Sequence, residues 1–260
     1  MEFAFPPHRI AVNMPDRAAL IAEVARRLAA SEGFALATIN LDHLVKLRRD
    51  PGFAAAYAAQ DLVVADGNPV VWLSRLARRP VALVPGSELV VPLAQTAAEA
   101  GVPVALLGST EPALEAAARV LEAQAPGLTV AACIAPPMGF DPDGPGGAEV
   151  LDAVANSGAR LVFLALGAPK QERLAARGRA ALPQVGFASI GAGLDFLAGT
   201  QTRAPAWVRR IAMEWLWRML SNPRRLARRY ADCALILPGH AVQALRTARK
   251  DRRNQGGRAA

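Results

Sequence analysis

Asp66 is the carboxylate best placed for chemistry. It ends the apolar run Leu62 to Ala65 and precedes Gly67. A partly desolvated carboxylate at a strand end, beside flexible backbone, suits a general base. The same residue in a turn would cap a helix from Asn68 or Pro69 onward. Thr38 and Asn40 lie two residues apart at the end of the run 34–39, on one side of an extended chain. They could bond sugar hydroxyls or a nucleotide, or close local Asx and ST turns. A third segment, Leu166 to Glu172, holds Gly167, Pro169 and Gln171. Its glycine admits close backbone approach, its proline suits a first helical turn, and free N–H groups there favour an anion such as diphosphate. Gln171 offers a donor and an acceptor. An ordinary strand-to-helix cap accounts for that segment equally well.

Other candidates are weaker. Gly191 to Phe196 fails G-x-G-x-x-G at its last position and follows the last strand rather than the first, which argues against a dinucleotide fingerprint. Asp141 and Asp143 imitate a D-x-D metal motif, but in a Pro/Gly-rich loop, and read as a turn. His8, His43 and His240 are scattered and make no metal set. No metal and no cofactor are expected.

Positioning these residues requires a sheet. Short apolar runs at 34–39, 62–65, 104–107, 128–132, 161–165 and 185–190 predict buried parallel strands. Helical patterns intervene at about 16–30, 51–60, 69–78, 87–100, 111–124, 147–157 and 169–180, with Asp16 as a cap and Pro51 and Pro112 at first turns. The alternation predicts an α/β fold: a Rossmann-like, mostly parallel sheet with helices on both faces. Ligands of such sheets bind beyond the carboxyl ends of the strands. That edge would carry Thr38, Asn40, Asp66, Gly67, Gly108, Gly167 and Gln171.

After Gly199 the pattern changes. Trp207, Ile211, Trp215 and Met219 recur at helical spacing among arginines; a second helix spans Pro223 to about Tyr230 and a third 232–248. The division expected is an α/β catalytic domain at 1–202 and an Arg-rich helical appendage at 203–260. The chain carries +8 overall, with about +11 in 203–260 and about −3 in 1–202. With only three lysines, arginine is preferred throughout, but that preference does not explain its position at one end. The asymmetry points to an anionic partner: lipid, nucleic acid or a phosphorylated substrate. Cys133 and Cys233 are far apart, which fits the cytosol rather than a disulfide scaffold. Neither a signal peptide nor a membrane-spanning run is expected.

Taken together, the motifs resemble the WecG/TagA/CpsF family of bacterial glycosyltransferases. The resemblance rests on Thr38 to Asp42, Val64 to Gly67, Leu166 to Glu172, Gly193 to Gly199 running into Arg203, Pro205 and Trp207, then Glu214 to Arg218 and Asn222 to Arg228. It covers roughly residues 8–235, in order. It implies an inverting, metal-independent transfer from a UDP-sugar to a polyprenyl-diphosphate-linked sugar at the inner face of the cytoplasmic membrane, for cell-surface polysaccharide or teichoic-acid-type polymers. Donors that fit are UDP-N-acetylmannosamine, its uronic acid and UDP-glucose. By resemblance Asp66 is the base. Thr38, Asn40, Gly67, Gly108, Gly167, Gln171 and Arg203 line the substrate site, and Arg218, Arg225 and Arg228 neutralise the diphosphate. One departure stands out: Leu83 occupies a position where the family usually has arginine, and Arg78 or Arg79 are the candidate substitutes.

The enzyme reading makes the appendage a peripheral anchor on anionic lipid, with tryptophan and methionine on one face and arginine on another. The alternative is a nucleic-acid-binding protein using the same arginines. It leaves the polar sheet edge unused, so nucleic acid is not an expected partner. Self-association is left open.

Overall fold

The computed structural model describes residues 1–202, 204–205, 207–208, 213–221 and 223–256, apart from the side chains of Glu214, Trp215, Arg218, Ser221, Arg225 and 253–256. Two strands absent from the expectation come first. β1 (Glu2–Phe5) and β2 (His8–Ala11) form an antiparallel hairpin that buries Phe3, Phe5 and Ile10. Each strand is only four residues long, with a Pro-Pro turn between them, so period-two alternation barely registers.

The main sheet has six parallel strands in the order β4-β3-β8-β7-β5-β6. They are β3 (Phe34–Ile39), β4 (Leu62–Ala65), β5 (Val104–Gly108), β6 (Val130–Ile134), β7 (Leu161–Ala165) and β8 (Gly186–Ser189). β6 starts two residues later than expected, and its ladder with β5 shifts register after the first pair, between Val104 and Ala105.

Alternation sorts each strand between two cores. Phe34, Leu36, Val64, Leu106 and Phe163 face α1 (Arg17–Ala29), α5 (Val90–Glu99), α6 (Glu111–Gln124) and α9 (Gly193–Leu197). Ala35, Ala37, Val63, Leu107 and Phe187 face the opposite layer. That layer holds α2 (Leu41–Arg49), α3 (Pro51–Ala58), α4 (Asn68–Leu76), α7 (Pro145–Ser157) and α8 (Lys170–Ala181). The expected starts hold: Asp16 Oδ1 accepts from the Ala19 N–H at 2.8 Å and caps α1, and Asp50 Oδ1 accepts from Phe53 at 2.9 Å above Pro51.

Two helices differ from expectation. α2 was not anticipated; it follows β3 with Asn40 alone between. The break expected near 231 does not occur. After α10 (Glu214–Ser221), a single helix α11 runs from Pro223 to Gly256 and passes through Pro238. Its alanine, leucine and arginine are strong helix formers, which tolerate one missing donor at Pro238. α11 packs on α2 and α4 and places Ala244 in the core. Among the described residues no helix is long and apolar enough to cross a membrane.

Candidate active site

Register brings the chemistry-bearing residues together. Ile39 pairs with Ala65, so the next residues, Asn40 and Asp66, leave β3 and β4 side by side. The Asp66 N–H donates to the Ile39 carbonyl at 2.8 Å, which fixes the backbone of the half-buried Asp66 at the carboxyl edge. Gly67 has φ +146, a conformation that side chains rarely adopt, and it occupies the N-cap position of α4. A Cβ there would stand 3.5 Å from Asn40 Cβ.

Asn40 fulfils the local alternative anticipated for it. It is the N-cap of α2, its Oδ1 accepting from the His43 N–H at 3.1 Å. Among the described residues its Nδ2 has no acceptor. Thr38, 3% exposed, lies against Gly86, where a Cβ would meet Thr38 Cγ2 at 3.2 Å and the Ile190 carbonyl at 3.3 Å. Thr38 thus joins the ends of β3 and β8 to the turn that leads into α5.

Leu83 is placed next to this centre. Val84 N–H donates to the Ala65 carbonyl at 2.8 Å, and Leu83 pairs with Ala65 in a parallel bridge, its side chain 40% exposed. Position 83 therefore lies in register with Ala65, the residue before Asp66. Arg79 is engaged elsewhere, with Nε and Nη2 on the Asp251 carboxylate at 3.0 and 3.1 Å.

The two glycines differ in role. Gly108, at φ +103, is closed in: a Cβ would fall 2.6 Å from the Ala165 carbonyl, so the residue is required by packing of β5 on β7. Gly167, at φ +71, faces open space ahead of α8, and no side chain caps that helix. Its first turn leaves N–H groups toward the edge. Lys46 Nζ donates to the Ala168 carbonyl at 3.1 Å, which sets a cation beneath the same loop.

Gln171 is buried, with both ends of its amide engaged. Nε2 donates to Glu172 Oε1 at 2.8 Å, and Oε1 accepts from the Gly191 N–H at 3.2 Å. Beneath the edge lies a polar layer that sequence reasoning missed. Tyr57 Oη and His43 Nδ1 are 3.3 Å apart. Burial lowers His43 to about 4, so its ring is neutral. Burial, then the charges of Glu172 and Asp66, push the Tyr57 phenol well up. Asp195 was also missed as a brace; it accepts from the Ser109 hydroxyl and from Gln201 Nε2 and joins the β5 end to α9. The only signal for it was its place in the motif Gly193 to Gly199.

Asp143 is bound to Arg173 Nη1 at 2.6 Å, and its N–H donates to Asp141 Oδ1 at 3.0 Å. The D-x-D lookalike is an Asx turn clamped by a cation, as its sequence context suggested.

A cleft of about 360 Å³ opens between α2 and α11, lined in part by Lys46, Arg49, Arg228 and Arg229. Arg228 therefore shares a cleft with the lysine that holds the α8 loop. Arg203 lies outside the described residues, as do the side chains of Arg218 and Arg225.

A six-stranded parallel sheet with polar residues at its carboxyl edge and an uncapped helix start beside them defines a Rossmann-like α/β ligand-binding protein. The chain belongs to the WecG/TagA/CpsF family of glycosyl transferases, whose pattern matches residues 7–254. It is 28% identical over 199 residues to the N-acetylglucosaminyldiphosphoundecaprenol N-acetyl-beta-D-mannosaminyltransferase of Bacillus spizizenii, covering 76% of this chain and 75% of the relative.

Proposed function

We propose that the chain transfers a hexose or N-acetylhexosamine, N-acetylmannosamine foremost, from a UDP-sugar to a polyprenyl-diphosphate-linked sugar. The observation that supports the reading is the position of Asp66 beside Asn40, one residue past the Ile39–Ala65 pair, with its N–H donating to the Ile39 carbonyl, in a member of this family. The similar Bacillus spizizenii protein bears the name of such a transferase.

In this reading Asp66 accepts the proton of the acceptor hydroxyl. The oxygen attacks the anomeric carbon as the bond to the UDP oxygen breaks, so the configuration inverts. UDP departs carrying the electron pair. Its charge is met by the first turn of α8, by Lys46 and by the appendage arginines Arg218, Arg225 and Arg228 rather than by a metal. The neutral edge of Asn40 and the Thr38 region orient the donor sugar, with Gly67 and Gly167 allowing close backbone approach. Arg203 and Gly108 complete the site by resemblance, Gly108 through packing.

Residues 203–260 form the appendage of a catalytic domain at 1–202. The appendage rests on the anionic inner face of the cytoplasmic membrane, where the acceptor resides. Exposed Trp207, Trp217, Leu220 and Leu235 beside arginines suit an interfacial surface. A screen of UDP-sugars with a short-chain polyprenyl-diphosphate N-acetylglucosamine, read by UDP release, tests the reading. Release from UDP-N-acetylmannosamine only when acceptor is present supports it; no release from any UDP-sugar contradicts it.

A further inference from the structure

The proposed transfer makes no use of a carboxyl group buried directly beneath the edge. Glu172, in the first turn of α8, has no exposed surface. Its Oε1 accepts from Gln171 Nε2 at 2.8 Å, and Gln171 Oε1 accepts from the Gly191 N–H at 3.2 Å. Its backbone carbonyl accepts from Gln60 Nε2 at 3.0 Å, and the same nitrogen donates to the Ala56 carbonyl at 2.8 Å, tying α8 to α3. Glu172 Oε2 is buried and has no hydrogen-bond partner among the described residues. A fully buried carboxyl with one oxygen in a relay and the other unpartnered needs a reason, since such a group costs stability when charged.

We propose that Glu172 is a positioning residue for the donor diphosphate: through Gln171 it holds the Gly191 turn against the start of α8, and it does so as the uncharged acid. The inference rests on the reading that places the diphosphate at that helix start. A carboxylate at this point would occupy the positive end of α8 and oppose an incoming anion, whereas the acid leaves that partial charge available. Burial raises the carboxyl from 4.5 to about 7. Burial outweighs the Gln171 amide and the Glu172 backbone N–H, whose hydrogen bonds favour the charged form. On α2, Lys46 favours the charged form but is shared with Asp42 at 2.9 Å. His43 on the same helix is neutral, and on α3 Tyr57 keeps its proton. Asp66 acts on Tyr57 from the end of β4 with a like charge. On α8 itself, Arg173 is engaged with Asp50 and Asp143, and Lys170 precedes the relay. Ionising Glu172 would therefore add a buried negative charge with half a partner beside the anion site.

The test is calorimetric titration with UDP from pH 6 to pH 9 of the full chain and of Glu172→Gln and Glu172→Ala. Wild-type affinity should fall about tenfold across the range as Glu172 ionises. Glu172→Gln, which keeps the acceptor for Gln171 and cannot ionise, should bind with no such fall. Glu172→Ala should bind more weakly at every pH, and glutamine should restore what alanine loses. An alkaline fall in Glu172→Gln equal to that of wild type would overturn the inference while leaving the UDP-sugar reading intact. Wild-type affinity for UDP from Glu172→Ala would overturn it too. If the alanine variant does not fold, the pH profile of the glutamine variant decides alone. If wild type binds no UDP at any pH, the donor reading itself fails and the inference falls with it.

Discussion

Arg229 Nε of α11 stands 3.0 Å from Asp42 Oδ1 of α2, and Lys46 Nζ stands 2.9 Å from the other oxygen of the same carboxylate. Asp42 is nearly buried, so one acid joins the long C-terminal helix to the lysine under the Gly167 loop. Asp42→Asn should weaken that junction by about 1–2 kcal/mol, since both cations are partly exposed. Faster hydrogen exchange at 223–232, with the core of the sheet unchanged, is the expected outcome.

Stability should fall between about pH 4.5 and pH 7. Unfolded Glu172 releases its proton near 4.5 and the folded group near 7, so in that window the folded chain binds more protons and loses stability as pH rises. The loss is complete above 7 and amounts to roughly 3 kcal/mol at most. Glu23 shifts the other way: hydrogen bonds from Arg26 and Arg27 lower it to about 2, so its effect lies below this window. Urea midpoints of wild type and Glu172→Gln should therefore diverge as pH rises from 4.5 to 7, with the variant gaining.

Gly108→Ala separates packing from binding. Its Cβ would lie 2.6 Å from the Ala165 backbone at a φ of +103. A cost of about 2–4 kcal/mol in a urea melt is expected. A variant as stable as wild type would remove the packing explanation.

Membrane docking should depend on salt and on arginine. Each basic residue near an anionic surface contributes about 1 kcal/mol, screened within a Debye length. Arg224→Glu combined with Arg228→Glu should abolish pelleting with vesicles rich in anionic lipid at low salt. Deleting the whole appendage is a poorer experiment, because α11 covers α2 and α4 and its Ala244 is part of the core.

Much of this architecture was legible in the sequence. Buried parallel strands announce themselves as short apolar runs, and six of them, with most of the helices, fell where the runs and caps indicated. The hairpin at Glu2–Ala11 was not visible because two four-residue strands carry too few alternations. α2 was hidden because Asn40 alone separates β3 from α2 and caps the helix, with no longer loop to mark the join. Asp66, Asn40 and the Gly167 loop stood out because polar residues after apolar strands are conspicuous. Glu172, Tyr57 and His43 did not, because a polar residue on a helix looks solvent-facing until the packing that buries it is known.

The central claim is that Asp66 removes the proton from the acceptor. Sugar transfer from UDP-N-acetylmannosamine to a polyprenyl-diphosphate N-acetylglucosamine, compared in wild type and Asp66→Asn, tests it most directly. Asparagine keeps the shape and the Ile39 contact, which is made by the backbone, but cannot take a proton. The account predicts that kcat falls by about 10²–10⁴ while the variant melts as wild type does. A folded Asp66→Asn enzyme with wild-type turnover would contradict it.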